Sequence, residues 1–217
     1  MKYKYIFLDL DGTLTDSKEG ILNCVRYALE KMGAHIPDAS ELNKFIGPPL
    51  MVSFSEFCGF SPEDSRRAVT FYRERFSGIG IFENRVYDGA EEFLAKLTAS
   101  SRIPVLTTSK PKVYADRIVV RYGLRPYLKL VVGAELDGTR DSKAEVIEYA
   151  IEKLGIEDRS RILMVGDRRQ DIEGAKQCGI DSCGVSYGYA APGELESAGA
   201  GRIAAGFDEL YDMIIHA

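Results

Sequence analysis

The chain has 217 residues, of which 45% are hydrophobic and 28% are charged, a composition that predicts a globular protein and excludes disordered, collagen-like and mucin-like chains. Its 33 acidic residues exceed its 28 lysines and arginines, so no overall positive field favours a nucleic acid or an anionic membrane as partner. The chain has only two histidines, which argues against a Ser-His-Asp triad or a histidine-rich zinc site. We therefore expect the chemistry to run mainly on carboxylates.

Short apolar runs recur along the chain and alternate with helical patterns. The first run, Tyr5-Ile6-Phe7-Leu8, ends abruptly at Asp9, as expected of a strand buried on both faces. Later runs cover residues 103–106, 130–132, 161–165 and 183–185. Apolar strands that alternate with helices predict an α/β fold, a Rossmann-like, doubly wound parallel sheet covered by helices on both faces.

Residues 15–84 interrupt this alternation directly after the first strand. They show helical periodicity and no convincing strand. One helix is predicted to have its N-cap at Asp16 and to end at Gly33, and another to start at Ser61-Pro62 and to end at Gly78. The sequence therefore predicts a core domain of residues 1–14 and 85–217 and an all-helical domain of residues 15–84.

The cysteines and the N-terminus bear on the compartment. The four cysteines form no C-x-x-C pair, which favours reduced, packed thiols. The first ten residues lack the long apolar stretch of a signal peptide, and no run approaches 18 apolar residues. These features predict a cytoplasmic protein with no membrane partner.

Polar residues follow several of the apolar runs, and in open α/β sheets ligands bind beyond the carboxyl ends of the strands. Each motif alone has a structural explanation as a turn, a helix cap or the start of a loop. Together, and in this order at strand ends, they predict a catalytic site. The motifs are Asp9-Leu10-Asp11-Gly12-Thr13, Thr107-Thr108-Ser109-Lys110, Lys143 at a helix start, and Gly166-Asp167 followed by Asp171.

The carboxylates come in two pairs, Asp9 with Asp11 and Asp167 with Asp171. Carboxylates that close repel each other unless they share a cation or a proton. Two pairs at one sheet edge would suit a hard divalent cation bound through oxygen, which favours Mg²⁺. Such a metal attracts a phosphoryl group, which one aspartate can attack while a second carboxylate protonates the leaving oxygen and then activates water.

A hydroxyl group and an ammonium group would stabilise charge on the transferred phosphoryl group, and Thr108 and Lys143 are placed to supply them. Lys110 is a rival for the ammonium role. We prefer Lys143, because Lys110 precedes Pro111 at a helix start and is expected to turn outward. Arg85 and Arg168 are candidates for contact with anionic groups of a substrate, but we expect each to be a solvated surface charge.

These motifs resemble the four motifs of the haloacid dehalogenase-like hydrolase superfamily, and the helical insert resembles its C1 cap. The first motif extends over residues 9–17, and the last covers residues 166–171. Within the superfamily, Phe45-Ile46-Gly47-Pro48-Pro49 and the Thr-Ser-Lys-Pro run at 108–111 are similar to phosphoglycolate phosphatases. One departure is that Lys143 is followed by Ala144, where many phosphoglycolate phosphatases have proline.

The resemblance implies a Mg²⁺-dependent phosphatase that hydrolyses a small phosphorylated metabolite through an aspartyl-phosphate. It implies Asp9 as nucleophile and Asp11 as general acid and base. The implied phosphate-binding residues are Gly12, Thr108, Ser109 and Lys143. The implied metal site consists of Asp9, the backbone carbonyl of Asp11 and Asp167, with assistance from Asp171.

Several alternatives stay open within and beyond this resemblance. The chain is also consistent with a 5′-nucleotidase or pyrophosphatase of the same superfamily, a β-phosphoglucomutase-like phosphotransferase, or a non-catalytic regulatory binding protein. The substrate and the oligomeric state, monomer or dimer, are not fixed by the sequence. The segments near residues 15–16 and 83–86 are the expected hinges of a closing cap.

Overall fold

The computed structural model describes residues 2–217. The strands of this part of the chain are β1 (Tyr5–Leu8), β2 (Thr15–Asp16), β3 (Arg85–Val86), β4 (Ile103–Pro111), β5 (Leu130–Ala134), β6 (Ile162–Gly166), β7 (Asp181–Val185) and β8 (Ile203–Ala204). The helices are α1 (Lys18–Met32), α2 (Ala39–Leu42), α3 (Leu50–Cys58), α4 (Pro62–Phe76), α5 (Ala90–Ala99), α6 (Lys112–Arg121), α7 (Lys143–Leu154), α8 (Arg169–Gln177), α9 (Glu194–Ala198) and α10 (Phe207–Ile215).

Within residues 2–217, six strands form one parallel sheet in the order β5-β4-β1-β6-β7-β8. Strand β1 lies between β4 and β6, and its residues 6–8, whose side chains alternate between the two faces, are all fully buried, which explains its continuously apolar sequence. Phe7 of β1 and Met164 of β6 are buried in one cluster with Val146 and Ile147 of α7. The predicted α/β fold with a parallel sheet is confirmed.

The strand predictions were incomplete for β4 and for the two-residue strands β2, β3 and β8. Strand β4 continues to Pro111 through polar residues, although its apolar run ends at Leu106. The two-residue strands β2 and β3 pair with each other, and β8 adds an edge to the large sheet. Two residues are too few to produce a recognisable alternation of apolar and polar side chains.

The chain divides into two compact units. One comprises the described residues up to Thr15 together with Val86–Ala217, and the other comprises Asp16–Arg85. In the second unit α1 packs against α4, and α4 also contacts α3. The assignment of this unit as a cap domain stays a prediction.

The ends of the two long helices in this second unit follow local signals. Gly33 ends α1 in a left-handed conformation, and the Ser61 side chain accepts a hydrogen bond from Asp64 N at the start of α4, both as predicted. The predicted N-cap at Asp16 is wrong, because Ser17 occupies that position. Asp16 instead forms a salt bridge with Arg85, in which Asp16 Oδ2 lies 2.8 Å from Arg85 Nη2.

Across residues 2–217, no helix combines the length and the apolar character that crossing a bilayer requires.

Candidate active site

The carboxyl ends of three neighbouring strands bring the predicted residues together. Asp9 directly follows β1, and its backbone N–H donates to the carbonyl of Val165 in β6, which extends the ladder by one residue. Asp167 follows β6, and Thr108 lies in the last part of β4. Because these strands are adjacent and parallel, their polar ends meet at one edge of the sheet.

Three carboxylates at this edge form a buried cluster. Asp9, Asp167 and Asp171 are 8%, 0% and 1% exposed, and each offers a ligand oxygen within 4.8 Å of the others. Burial raises the pKa of Asp167 well above its ordinary value, and the charges of Asp171 and Asp9 raise it further. Burial also raises the pKa of Asp171, an effect that Lys143 offsets only in part. The cluster thus holds more negative charge than its surroundings balance.

Lys143 is the buried cation of the cluster. Its Nζ lies 2.7 Å from Asp9 Oδ1 and 2.7 Å from Asp171 Oδ1, and it donates to the carbonyl of Thr107 at 3.0 Å. Burial lowers the pKa of Lys143, but the charges of Asp171 and Asp9 outweigh burial and keep that pKa above its ordinary value. Lys143 therefore presents a full positive charge to both carboxylates.

Helix α7 fixes the position of this lysine. Ser142 is the N-cap of the helix and forms a capping box with Glu145, so Lys143 begins the first turn, as the sequence predicts.

Lys110 lies in the site as well, and the expectation that it turns outward is wrong. Its side chain is only 6% exposed, and its Nζ lies 2.8 Å from Asp11 Oδ2. The pairing of β4 with β5 shifts register between Thr108 and Pro111. Such an irregularity changes side-chain direction in a way that sequence spacing does not reveal. The two lysines thus contact different catalytic candidates, Lys143 the Asp9 carboxylate and Lys110 the Asp11 carboxylate.

The remaining phosphate-binding candidates lie beside these carboxylates. Thr108 is buried, and its Oγ1 accepts a hydrogen bond from the backbone N–H of Lys110 at 3.2 Å. Ser109 is half-buried next to it in β4. Gly12 has a positive φ of 82°, and a Cβ at this position would lie 2.1 Å from Asp167 Oδ2. Glycine is required there for both conformation and space.

A fourth segment, residues 186–193 after β7, completes the surroundings of Asp167 and was missed by sequence reasoning. The backbone N–H of Tyr189 donates to Asp167 Oδ2 at 2.7 Å. The Tyr187 hydroxyl donates to the carbonyl of Thr13 at 3.0 Å, and Thr13 Oγ1 lies 3.4 Å from Asp167 Oδ1. The signal was available, because this segment also follows the carboxyl end of a parallel strand.

The two arginines considered in the sequence differ in exposure. Arg85 has a side chain 78% exposed, as expected for a surface charge. Arg168 is not a solvated charge, because its side chain is 14% exposed and its Nε lies 2.8 Å from Glu194 Oε1. This long-range pair joins the segment after β6 to the segment after β7.

The residues at this sheet edge fit a divalent cation. The available donors are carboxylate oxygens, which a hard ion such as Mg²⁺ prefers. Lys143 pairs with Asp9 and Asp171, whereas no salt bridge to Asp167 exists within residues 2–217. Burial raises the pKa of Asp167 most, and a cation beside it would relieve the additional effect of repulsion from Asp171 and Asp9.

Comparison with known proteins identifies the family. Residues 5–185 match the model of the haloacid dehalogenase-like hydrolases, so the chain belongs to this family. It is 41% identical to a 5′-nucleotidase of Pseudomonas aeruginosa over 91% of this chain and 89% of that protein. It is 35% identical to the tyrosine-protein kinase PtkA of Mycobacterium tuberculosis over 96% of this chain and 72% of that protein.

A solved structure agrees over the whole length. The crystal structure of a predicted phosphatase from Clostridium acetobutylicum is 42% identical, covers 100% of both chains and superposes with a TM-score of 0.96. The predicted resemblance and enzyme class, a haloacid dehalogenase-like phosphatase, are thereby confirmed. The individual site residues, the metal and the substrate stay predictions.

Proposed function

We propose that the protein is a Mg²⁺-dependent phosphatase that hydrolyses a small phosphomonoester through an aspartyl-phosphate on Asp9. The observation that carries this proposal is the position of Asp9 at the end of β1. Asp9 is buried in a cluster with Asp167 and Asp171, and its Oδ1 lies 2.7 Å from Lys143 Nζ. A carboxylate placed in this way is fixed in orientation and faces the open edge of the sheet.

In the first step a carboxylate oxygen of Asp9 attacks phosphorus. The new bond joins Asp9 to phosphorus, the bond from phosphorus to the ester oxygen breaks, and the leaving oxygen takes a proton from Asp11. In the second step Asp11 accepts a proton from a water molecule whose oxygen attacks phosphorus. The bond to Asp9 then breaks, which releases inorganic phosphate and restores both carboxyl groups.

The other residues hold the phosphoryl group and its charge. Thr108, Ser109, Lys143 and the backbone at Gly12 are proposed to bind its oxygens. Asp9, Asp167 and the backbone carbonyl of Asp11 would hold Mg²⁺, with Asp171 assisting. When bound, the ion neutralises negative charge on the phosphoryl oxygens.

Two substrate classes are favoured by different observations. The similarity of Phe45-Ile46-Gly47-Pro48-Pro49 to phosphoglycolate phosphatases favours a phosphoglycolate-like ester. The 41% identity to a 5′-nucleotidase favours a nucleoside 5′-monophosphate. In either case we propose that residues 16–85 act as a cap that selects the leaving group and that the protein acts in the cytoplasm.

Phosphate release from a substrate panel tests this function. The panel contains phosphoglycolate, nucleoside 5′-monophosphates, hexose phosphates and pyrophosphate, each with Mg²⁺ and with EDTA. We expect release from one monoester class, loss of release in EDTA and recovery on addition of Mg²⁺. Isomerised hexose phosphate without release would indicate a phosphotransferase, and phosphotyrosine formed from ATP and a tyrosine peptide would indicate a kinase.

The nucleophile is tested by Asp9→Asn, with Asp88→Asn as the matched control on an exposed aspartate. We expect Asp9→Asn to lose phosphatase activity and to keep its circular dichroism spectrum, and Asp88→Asn to keep both. Near-normal turnover in Asp9→Asn would exclude Asp9 as the nucleophile.

A further inference from the structure

Glu194, the first residue of α9, joins two segments that are distant in sequence. Its Oε1 accepts hydrogen bonds from Arg168 Nε at 2.8 Å and from the backbone N–H of Arg169 at 2.9 Å. Its Oε2 accepts from the backbone N–H of Ala191 at 3.0 Å. The side chain is 13% exposed, so these bonds are shielded from competing water.

The two segments that Glu194 joins are the ones that orient Asp167 and Asp171. The backbone N–H of Arg168 donates to Asp171 Oδ2 at 3.1 Å. The backbone N–H of Tyr189 donates to Asp167 Oδ2 at 2.7 Å. Arg168 N is adjacent to Arg169 N, and Tyr189 N is two residues from Ala191 N; Arg169 N and Ala191 N both donate hydrogen bonds to Glu194. A displacement of Glu194 therefore reaches both carboxylates through the backbone.

The negative charge of Glu194 also contributes to the proposed cation site. Burial raises the pKa of Glu194, but hydrogen bonds from Arg168, Arg169 and Ala191 outweigh burial and lower the pKa below its ordinary value. Glu194 is therefore a carboxylate that balances the charge of Arg168, the residue directly after Asp167. Without it, Arg168 would lose this carboxylate partner close to the proposed cation site.

We propose that Glu194 is a positioning residue for the metal site, which it builds by fixing the segments that hold Asp167 and Asp171 without touching the ion. The proposal rests on the proposed function insofar as that function places a divalent cation at Asp167. Outer partners of this kind commonly change metal affinity by about 10–100-fold when they are removed.

The test is calorimetric titration of metal-free protein with Mg²⁺, without substrate. We expect Glu194→Ala to raise the Kd for Mg²⁺ by about 10–100-fold. Glu194→Gln keeps one acceptor oxygen, so we expect a smaller rise. Glu196→Ala, on an exposed side chain of the same helix, is the matched control and should bind Mg²⁺ as the wild type does.

The outcomes separate this proposal from the proposed function. A folded Glu194→Ala variant with the wild-type Kd and only a lower unfolding temperature in EDTA would mean a structural role and overturn the proposal. If Glu194→Ala does not fold, Glu194→Gln decides by the same criterion. If the wild type itself binds no Mg²⁺, the metal part of the proposed function fails and this proposal fails with it.

Discussion

The backbone of Gly188 closely approaches Asp167, and a single methyl group should disturb this approach. A Cβ at Gly188 would lie 2.3 Å from Asp167 Cβ and 2.5 Å from the carbonyl oxygen of Gly12. These distances are about 1 Å shorter than ordinary contact. Neither atom is the end of a flexible side chain, so the segment after β7 has to move away. The backbone φ of Gly188 is not positive, so alanine at this position would be disfavoured by steric overlap and not by its backbone conformation.

Overlap of this kind costs about 1–3 kcal/mol of unfolding free energy in a packed site. For a chain of this length each kcal/mol lowers the unfolding temperature by about 2–4 °C, so a cost of about 2 kcal/mol predicts a decrease of about 4–8 °C. The displacement also moves the Tyr189 N–H that donates to Asp167. We therefore expect Gly188→Ala to weaken Mg²⁺ binding as well.

Thermal unfolding in EDTA and calorimetric titration with Mg²⁺ measure the two effects. The matched control is Gly206→Ala, because a Cβ at Gly206 meets nothing within 4 Å and its backbone is extended. Wild-type unfolding temperature and Mg²⁺ affinity in Gly188→Ala would refute the inferred close approach.

Three further predictions follow from charged groups. Asp167→Asn should raise the unfolding temperature measured in EDTA, because a pKa that is higher in the folded than in the unfolded state means that the ionised carboxylate destabilises the fold at neutral pH. The same variant should show no increase of the unfolding temperature on addition of Mg²⁺. An unfolding temperature below that of the wild type in EDTA would contradict this. Because Lys110 holds the Asp11 carboxyl group, Lys110→Met should slow hydrolysis of alkyl phosphates more than that of p-nitrophenyl phosphate, whose good leaving group needs little protonation. The expected difference is part of the about 10²–10⁴-fold that general acid catalysis contributes, if Asp11 is the acid as proposed. Equal losses would argue against Lys110 acting through Asp11. The hydrogen bond from Arg75 lowers the pKa of Glu83. The stabilisation by this pair is therefore complete above the unfolded-state pKa of Glu83 and is lost as the pH falls through the lower folded-state pKa. In urea unfolding, Glu83→Gln should be less stable than the wild type at pH 7, and a stability difference that persists in strong acid would exclude the Arg75–Glu83 pair as its cause.

The sequence predicted those parts of the site that depend on local signals. Asp9 and Asp167 each directly follow an apolar run, and Lys143 follows a capping serine at a helix start. In a parallel sheet such positions converge without further information, because all carboxyl ends lie at one edge. The four-residue spacing of Asp167 and Asp171 across a strand–helix junction carried the same signal.

The parts that were missed depend on packing between segments distant in sequence. Lys110 points into the site past a register shift in β4, which no periodicity encodes. Gly188 is one of 21 glycines, and its role depends on the approach of Asp167. Glu194 contacts Arg168 across 26 positions of the chain. Tertiary contacts of this kind have no local pattern that distinguishes them from a surface turn or an exposed acid.

The three buried carboxylates, Asp9, Asp167 and Asp171, carry more negative charge than Lys143 balances. Three buried carboxylates share one buried lysine, and Lys143 reaches Asp9 and Asp171. Backbone N–H groups of Tyr189 and Arg168 supply hydrogen bonds but no net charge, so burial, together with repulsion from Asp171 and Asp9, keeps the pKa of Asp167 high. A divalent ion removes that repulsion in the folded state only, and at 100 times its Kd it would add about 2.7 kcal/mol of stability. We therefore expect relief of this repulsion to contribute to the affinity of the proposed site for a cation.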